Sequence, residues 1–196
     1  MKKILLVSAI ALVATSASAF EVKPYVEGKV SRNGLKAEYK EPGDKINLKD
    51  NVFGGQLEVG AKLDQFRVGL EGYYNDKADD IAFSILPVEL ESKGLFLNGY
   101  WDIPLSEVKA VKPFIGVGVG YNWLKVSAKE TIYTYPGRAK DKGFGWNVGL
   151  GVAYAVKDNV DLTVGYRYEY LGKVKDEDSK TKFYNNKVSF GVRYTF

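Results

Sequence analysis

Apolar and polar residues alternate with a period of two along most of this chain, and the alternation recurs eight times. In the last segment Val188, Phe190, Val192, Tyr194 and Phe196 share one face, and Lys187, Ser189, Gly191, Arg193 and Thr195 share the other. The same pattern runs through residues 22–30, 53–63, 66–74, 95–103, 113–123, 144–155 and 160–170. A period of two is the mark of a β-strand with one apolar and one polar face. Each stretch has about the 9–11 residues that a tilted strand needs to cross a bilayer. One departure stands out: Val88 and Leu90 are out of phase with Leu95 and Leu97. It predicts a bulge near Lys93-Gly94, or a strand that changes face where it leaves the membrane.

A soluble sandwich turns its apolar face inward, whereas a membrane barrel turns it out to lipid. Three features favour the barrel. The polar face is charged, with Lys23, Lys29, Lys62, Arg67, Arg167, Lys187 and Arg193 opposed by Glu27, Glu58, Glu71, Asp102, Asp161 and Glu169. Such a set predicts an ion-pair network filling a narrow lumen, since isolated charges there would be costly. Its core is expected at Glu27, Glu58, Lys62, Arg67, Glu71, Arg167, Glu169 and Arg193. The connections alternate in length. Asp64-Gln65, 104–112 and 156–159 are short, while 31–52, 75–88, 124–143 and 171–186 are long, the habit of periplasmic turns and extracellular loops. With that topology the aromatics sort by strand end: Phe66, Trp101, Tyr154 and Phe196 at the short turns, Tyr74, Trp123, Trp146 and Tyr168 at the long loops. Two belts at the lipid–water boundaries are expected of such rings. The fold class expected is all-β: an eight-stranded antiparallel up-and-down transmembrane β-barrel.

The first residues follow another rule. Lys2-Lys3 precede an apolar run from Ile4 to Val13, and Ala17-Ser18-Ala19 supplies small residues at positions −3 and −1. This is the layout of a secretory signal, with a cut expected between Ala19 and Phe20. Residues 1–19 are read as a cleaved signal peptide and 20–196 as the barrel domain. No later stretch is apolar for about 20 residues, so no helical span is expected.

Composition removes several chemistries. The chain has no Cys, which excludes a disulfide scaffold, and no His, the commonest general base and metal ligand. The net charge is +4 and falls to +2 without Lys2 and Lys3, too weak to argue for nucleic acid. Glu89 and Glu91 share a strand face but sit beside a loop, where solvation explains them better than glycoside chemistry. Asp76, Asp79 and Asp80 lack the spacing of a calcium loop. Gly116, Gly118 and Gly120 precede no helix or phosphate-binding Lys; small inward residues that admit long side chains from the opposite wall account for them. No cofactor, metal or catalytic residue is expected.

The stretch from Val188 to Phe196 resembles the C-terminal signal of outer-membrane proteins, in which an aromatic last residue follows apolar or aromatic residues two apart. The segments 112–121 and 149–154 look like strands of the OmpA-type, OmpX-like and opacity-type surface proteins. The resemblance implies recognition of Tyr194 and Phe196 by the barrel-assembly machinery, passage with periplasmic chaperones, and integral residence in a Gram-negative outer membrane among its lipid and lipopolysaccharide. Lipid-modifying and proteolytic members of such families use a His, which this chain lacks. The expected function is that of a non-enzymatic, monomeric surface protein displaying loops for adhesion, envelope stability or host interaction. A narrow porin-like channel is the alternative, and a His-free envelope enzyme a third. The segments 124–143 and 171–186 carry Lys125, Lys129, Arg138, Lys140, Lys142, Lys173, Lys175, Lys180 and Lys182. Such a rim suits phosphates or an acidic host or matrix ligand, although solubility also explains it.

Overall fold

A computed structural model describes residues 21–41, 44–83, 86–105, 110–128, 138–175 and 180–196; the side chains of 37–50, 77–90, 126–141 and 173–181 lie outside the description. Eight antiparallel strands follow in chain order: β1 (Val22–Glu41), β2 (Asp44–Leu63), β3 (Phe66–Phe83), β4 (Leu86–Asp102), β5 (Val111–Ala128), β6 (Arg138–Lys157), β7 (Val160–Lys175) and β8 (Lys180–Thr195). Each pairs with its sequence neighbours, and β8 returns to β1 to close the barrel. The closing ladder runs from Tyr25 opposite Thr195 to Lys40 opposite Lys180. Closure leaves no unpaired edge, which is what hydrocarbon demands of a sheet.

The strands are longer than the alternation implied. β1, β2 and β6 have 20 residues each, about twice what a bilayer crossing needs. The surplus lies at the long-loop end. Much of what reads as loop is hairpin arm: β1 and β2 stay paired to Glu41 opposite Asp44. The short end is tight, with Asp64 at a φ of 53° in the turn that joins β2 to β3.

The bulge expected near Lys93-Gly94 is not there. β4 pairs with β5 without a shift from Val88 to Asp102, and the irregularity belongs to β3, between Asn75 and Ala78 and again between Ala78 and Ile81. The phase change fits the other expectation, a change of face where the strand leaves the membrane: there the surroundings of the inner face invert. Inside the membrane band the inner face is polar and the outer apolar, with Val30, Phe53, Leu57, Val117, Leu150 and Phe190 exposed. Beyond it Leu35, Val52, Leu124, Leu171 and Phe183 are buried inward, while Arg32, Lys36 and Asn51 lie exposed outward. An arm standing in water buries its apolar face, as any soluble sheet does.

Candidate functional site

The lumen is filled in layers. Nearest the short turns, Arg67 is 2% exposed, and its Nε donates to the Asp102 carboxylate at 2.9 and 3.0 Å. Its guanidinium lies over the Tyr100 ring, 4.4 Å from the centroid. Lys62 joins Asp102 at 3.3 Å. On the other wall Asp161 holds Lys112 at 3.2 Å and Arg193 at 3.4 Å. Lys23, placed inward by the alternation, stands exposed at the short-turn mouth and pairs with the exposed Glu21 at 3.2 Å. Lys112, taken for part of a connection by the sequence reading, lies on β5 and supplies the cation that Lys23 does not.

The middle layer is an alternating chain of charge. Glu58 meets Lys29 at 3.0 Å, Lys29 meets Glu71 at 2.7 Å, Glu71 meets Arg167 at 2.5 Å, Arg167 meets Glu169 at 3.6 Å, and Glu169 meets Lys187 at 2.8 Å. Along this run of contacts three acids and three bases alternate. Glu27, Glu58 and Glu71 lie directly across from one another on β1, β2 and β3. Like charges so placed repel, so the row persists only because cations reach it. Glu58 also accepts from the Tyr25 hydroxyl at 2.5 Å and the Tyr100 hydroxyl at 2.6 Å, and Glu27 from Thr163 at 2.6 Å. The opposite wall makes the reach possible. Gly116, Gly118, Gly149 and Gly151 have no side chains there, and a Cβ on Gly116 would sit 2.5 Å from Tyr100.

Above lies a layer of amides. Asn185 donates to Glu169 at 2.8 Å and to Asn33 at 3.0 Å, Gln56 to Ser31 at 2.7 Å, and Asn75 to Ser92 at 3.0 Å. The Tyr73 hydroxyl donates to Asn122, whose own amide donates to the Leu171 carbonyl at 2.9 Å. Leu171 gets there by a bulge. The β7–β8 register slips between Tyr170 and Gly172, and Gly172 takes a φ of 124°, open to glycine and unfavourable for other residues. The extra residue, Leu171, drops into the lumen with no exposed surface. With Leu35, Val52, Leu124 and Phe183 it caps the amides. Between the charged layers a cavity of about 30 Å³, bounded by Glu27, Lys29, Arg67, Tyr100 and Phe114, has room for a water or two.

These apolar and amide layers were missed by the sequence reading. The signal was there: Asn33, Asn75, Asn122 and Asn185 share parity with the inward charges of their strands. The outward aromatics named from the sequence all lie on the exterior. Phe66, Trp101, Tyr154 and Phe196 are exposed at the short-turn end, with Phe66 directly across from Trp101. Tyr74 and Trp146 are exposed and Trp123 and Tyr168 half-exposed at the other. Tyr170 and Tyr184, not singled out before, join Trp146 and Tyr168 in a cluster with centroids 5.5 to 6.2 Å apart. Tyr194 and Phe196 meet edge to face at 4.9 Å. Glu91 faces outward and pairs with Lys125 at 3.4 Å. Its neighbour Glu89, Asp79 and Asp80 of β3, and the cations Lys129, Arg138, Lys140, Lys173, Lys175 and Lys180 lie outside the described side chains, as does the expected leader.

Known proteins share this architecture. Among solved structures, Neisserial surface protein A is similar with a TM-score of 0.57 at 24% identity, covering 86% of this chain and 97% of that one. In sequence, the outer membrane protein PagN of Salmonella typhimurium is 31% identical over 178 residues, 74% of this chain and 73% of its own length. The opacity protein opA65 of Neisseria gonorrhoeae is 27% identical over 127 residues, 52% of each chain. The family model of the outer membrane protein β-barrel domain matches residues 4–196. With its closed eight-stranded barrel and that match over nearly its whole length, the chain belongs to the outer membrane protein β-barrel family.

Proposed function

We propose that this chain is a non-enzymatic surface protein whose sealed barrel holds β-hairpin arms outside the membrane for contact with a partner, in adhesion, envelope stability or host interaction. The observation that carries the reading is the β1–β2 ladder. It runs unbroken from Val22 opposite Leu63 to Glu41 opposite Asp44, far past the outward apolar band, above a lumen filled with paired charge. Paired arms lose less conformational entropy on binding than free loops, which favours recognition. The segment 124–143 sets Lys125, Lys129, Arg138, Lys140 and Lys142 against Glu130 and Asp141. That excess suits an acidic partner such as a sulfated glycan or a phosphorylated lipopolysaccharide. Cells carrying a barrel with Lys125, Lys129, Arg138, Lys140 and Lys142 all replaced by Gln should lose binding to epithelial cells and to immobilised heparin. Unchanged binding counts against the reading.

Further parts of the proposal concern biogenesis. Residues 1–19 act as the export signal, so the mature protein begins at Phe20, which N-terminal sequencing checks. Tyr194 and Phe196 form the recognition end for the assembly machinery, with the outward aromatics seated at the two lipid boundaries. The narrow-channel alternative is disfavoured by the amide layer and the Leu171 cap. Planar bilayers should show no steady open state.

A further inference from the structure

The outer wall carries a feature that neither packing nor surface display uses. Gly55 on β2 and Gly72 on β3 both point to lipid. A Cβ built on Gly55 would meet nothing within 4 Å, and one on Gly72 only a Leu95 methyl at 3.5 Å. Inward glycines are different: a Cβ on Gly60 or Gly120 would strike backbone. Glycine in a strand interior weakens the strand, and where packing does not require it, it marks a place where something else approaches.

Gly55 lies across from Tyr74, and Gly72 lies between Leu57 and Leu95, so the two missing side chains merge into one open groove. The groove is shallow and open on its outer side, with about 870 Å³ of accessible space. Leu57 and Leu95 wall its lower part. At its upper end Lys93 stands across from Tyr74 on one side and Trp123 on the other. Lys93 is exposed and, among the described residues, has no ion-pair partner. The next outward pair above it, Glu91 with Lys125, is already charged, so Lys93 sits at the headgroup level of the outer leaflet. Gly28 and Gly99 are equally unobstructed, but neither lies beside an outward cation.

We infer that this groove binds one acylated, phosphorylated glycolipid of the outer leaflet, an acyl chain lying over Gly55 and Gly72 and a phosphate held by Lys93 between the two rings. The charge decides for a phosphate-bearing lipid. An ammonium at a lipid boundary is stabilised by a phosphate oxygen, whereas an apolar groove alone would accept any chain.

The test is native mass spectrometry of the folded barrel in micelles, titrated with bis-phosphorylated lipid A, dephosphorylated lipid A and phosphatidylglycerol. Heat-modifiable migration checks that each variant folds. One phosphorylated lipid A per barrel should survive delipidation. Lys93→Gln should weaken that adduct about tenfold, the effect of one charge-assisted contact, and leave the dephosphorylated lipid unchanged. Gly55→Leu should weaken both. Equal adducts in all three proteins would mean ordinary annular lipid and overturn the site. Phosphatidylglycerol bound as tightly, with the same sensitivities, would overturn the glycolipid assignment. A dimer mass lost on Gly55→Leu would give the groove to a second copy of the chain instead.

Discussion

Replacing Arg167 by Met should be among the most damaging single changes in this barrel. Arg167 reaches from β7 to Glu71 at 2.5 Å and lies 3.6 Å from Glu169; both carboxylates are fully buried. Without it that run of contacts keeps three acids and two bases, and the row Glu27, Glu58, Glu71 loses a cation it needs. Removing one partner of a buried pair costs about 3–5 kcal/mol, because the remaining charge is left uncompensated. The companion change makes the argument specific. With Glu71→Gln as well, the remaining contacts resolve into two balanced pairs, Glu58 with Lys29 at 3.0 Å and Glu169 with Lys187 at 2.8 Å. The double variant should therefore recover more than half of the loss, leaving about 1–2 kcal/mol for lost hydrogen bonds and packing. The assay is urea unfolding in lipid vesicles, read by gel migration and Trp fluorescence. With a slope of about 2 kcal/mol per molar, Arg167→Met should lower the midpoint by about 2 M and the double variant by less than 1 M. A double variant that simply adds the two single losses would refute the view that charge balance organises this layer.

Gly120→Val should abolish or severely weaken folding, since its Cβ would strike the Leu95 carbonyl and come within 2.6 Å of Phe96, whereas Gly55→Val should leave gel migration unchanged. Leu171→Ala should cost about 2–4 kcal/mol of stability as a buried-cavity change, yet show no steady bilayer conductance, because the amide and charge layers beneath it remain. Phe196→Ala should leave spontaneous refolding into detergent intact and reduce insertion by vesicles containing the assembly machinery; equal reduction in both would mean the ring acts through stability alone.

Period-two alternation reports which solvent each face of a strand meets, and that is a local property. From Val188 to Phe196 or from Trp146 to Tyr154, one pass along the chain separates the lipid face from the lumen face. The strand count, the short-turn end and the parity of Arg67 or Glu169 follow from it. Partnership is not local. Arg167 and Glu71 are 96 residues apart, and Thr163 and Glu27 are 136 apart; only closure of β8 on β1 and the register of every ladder bring them together. For the same reason the irregularity near Leu90 could be placed on the wrong strand: a phase change in β4 looks alike whether a residue has been inserted or the surroundings have changed. The three-dimensional barrel separates the two, because it shows the arms leaving the membrane, where water replaces lipid outside and Leu35, Val52 and Leu171 turn inward. Alternation reads faces; closure chooses which opposing charges, amides and glycines share one lumen.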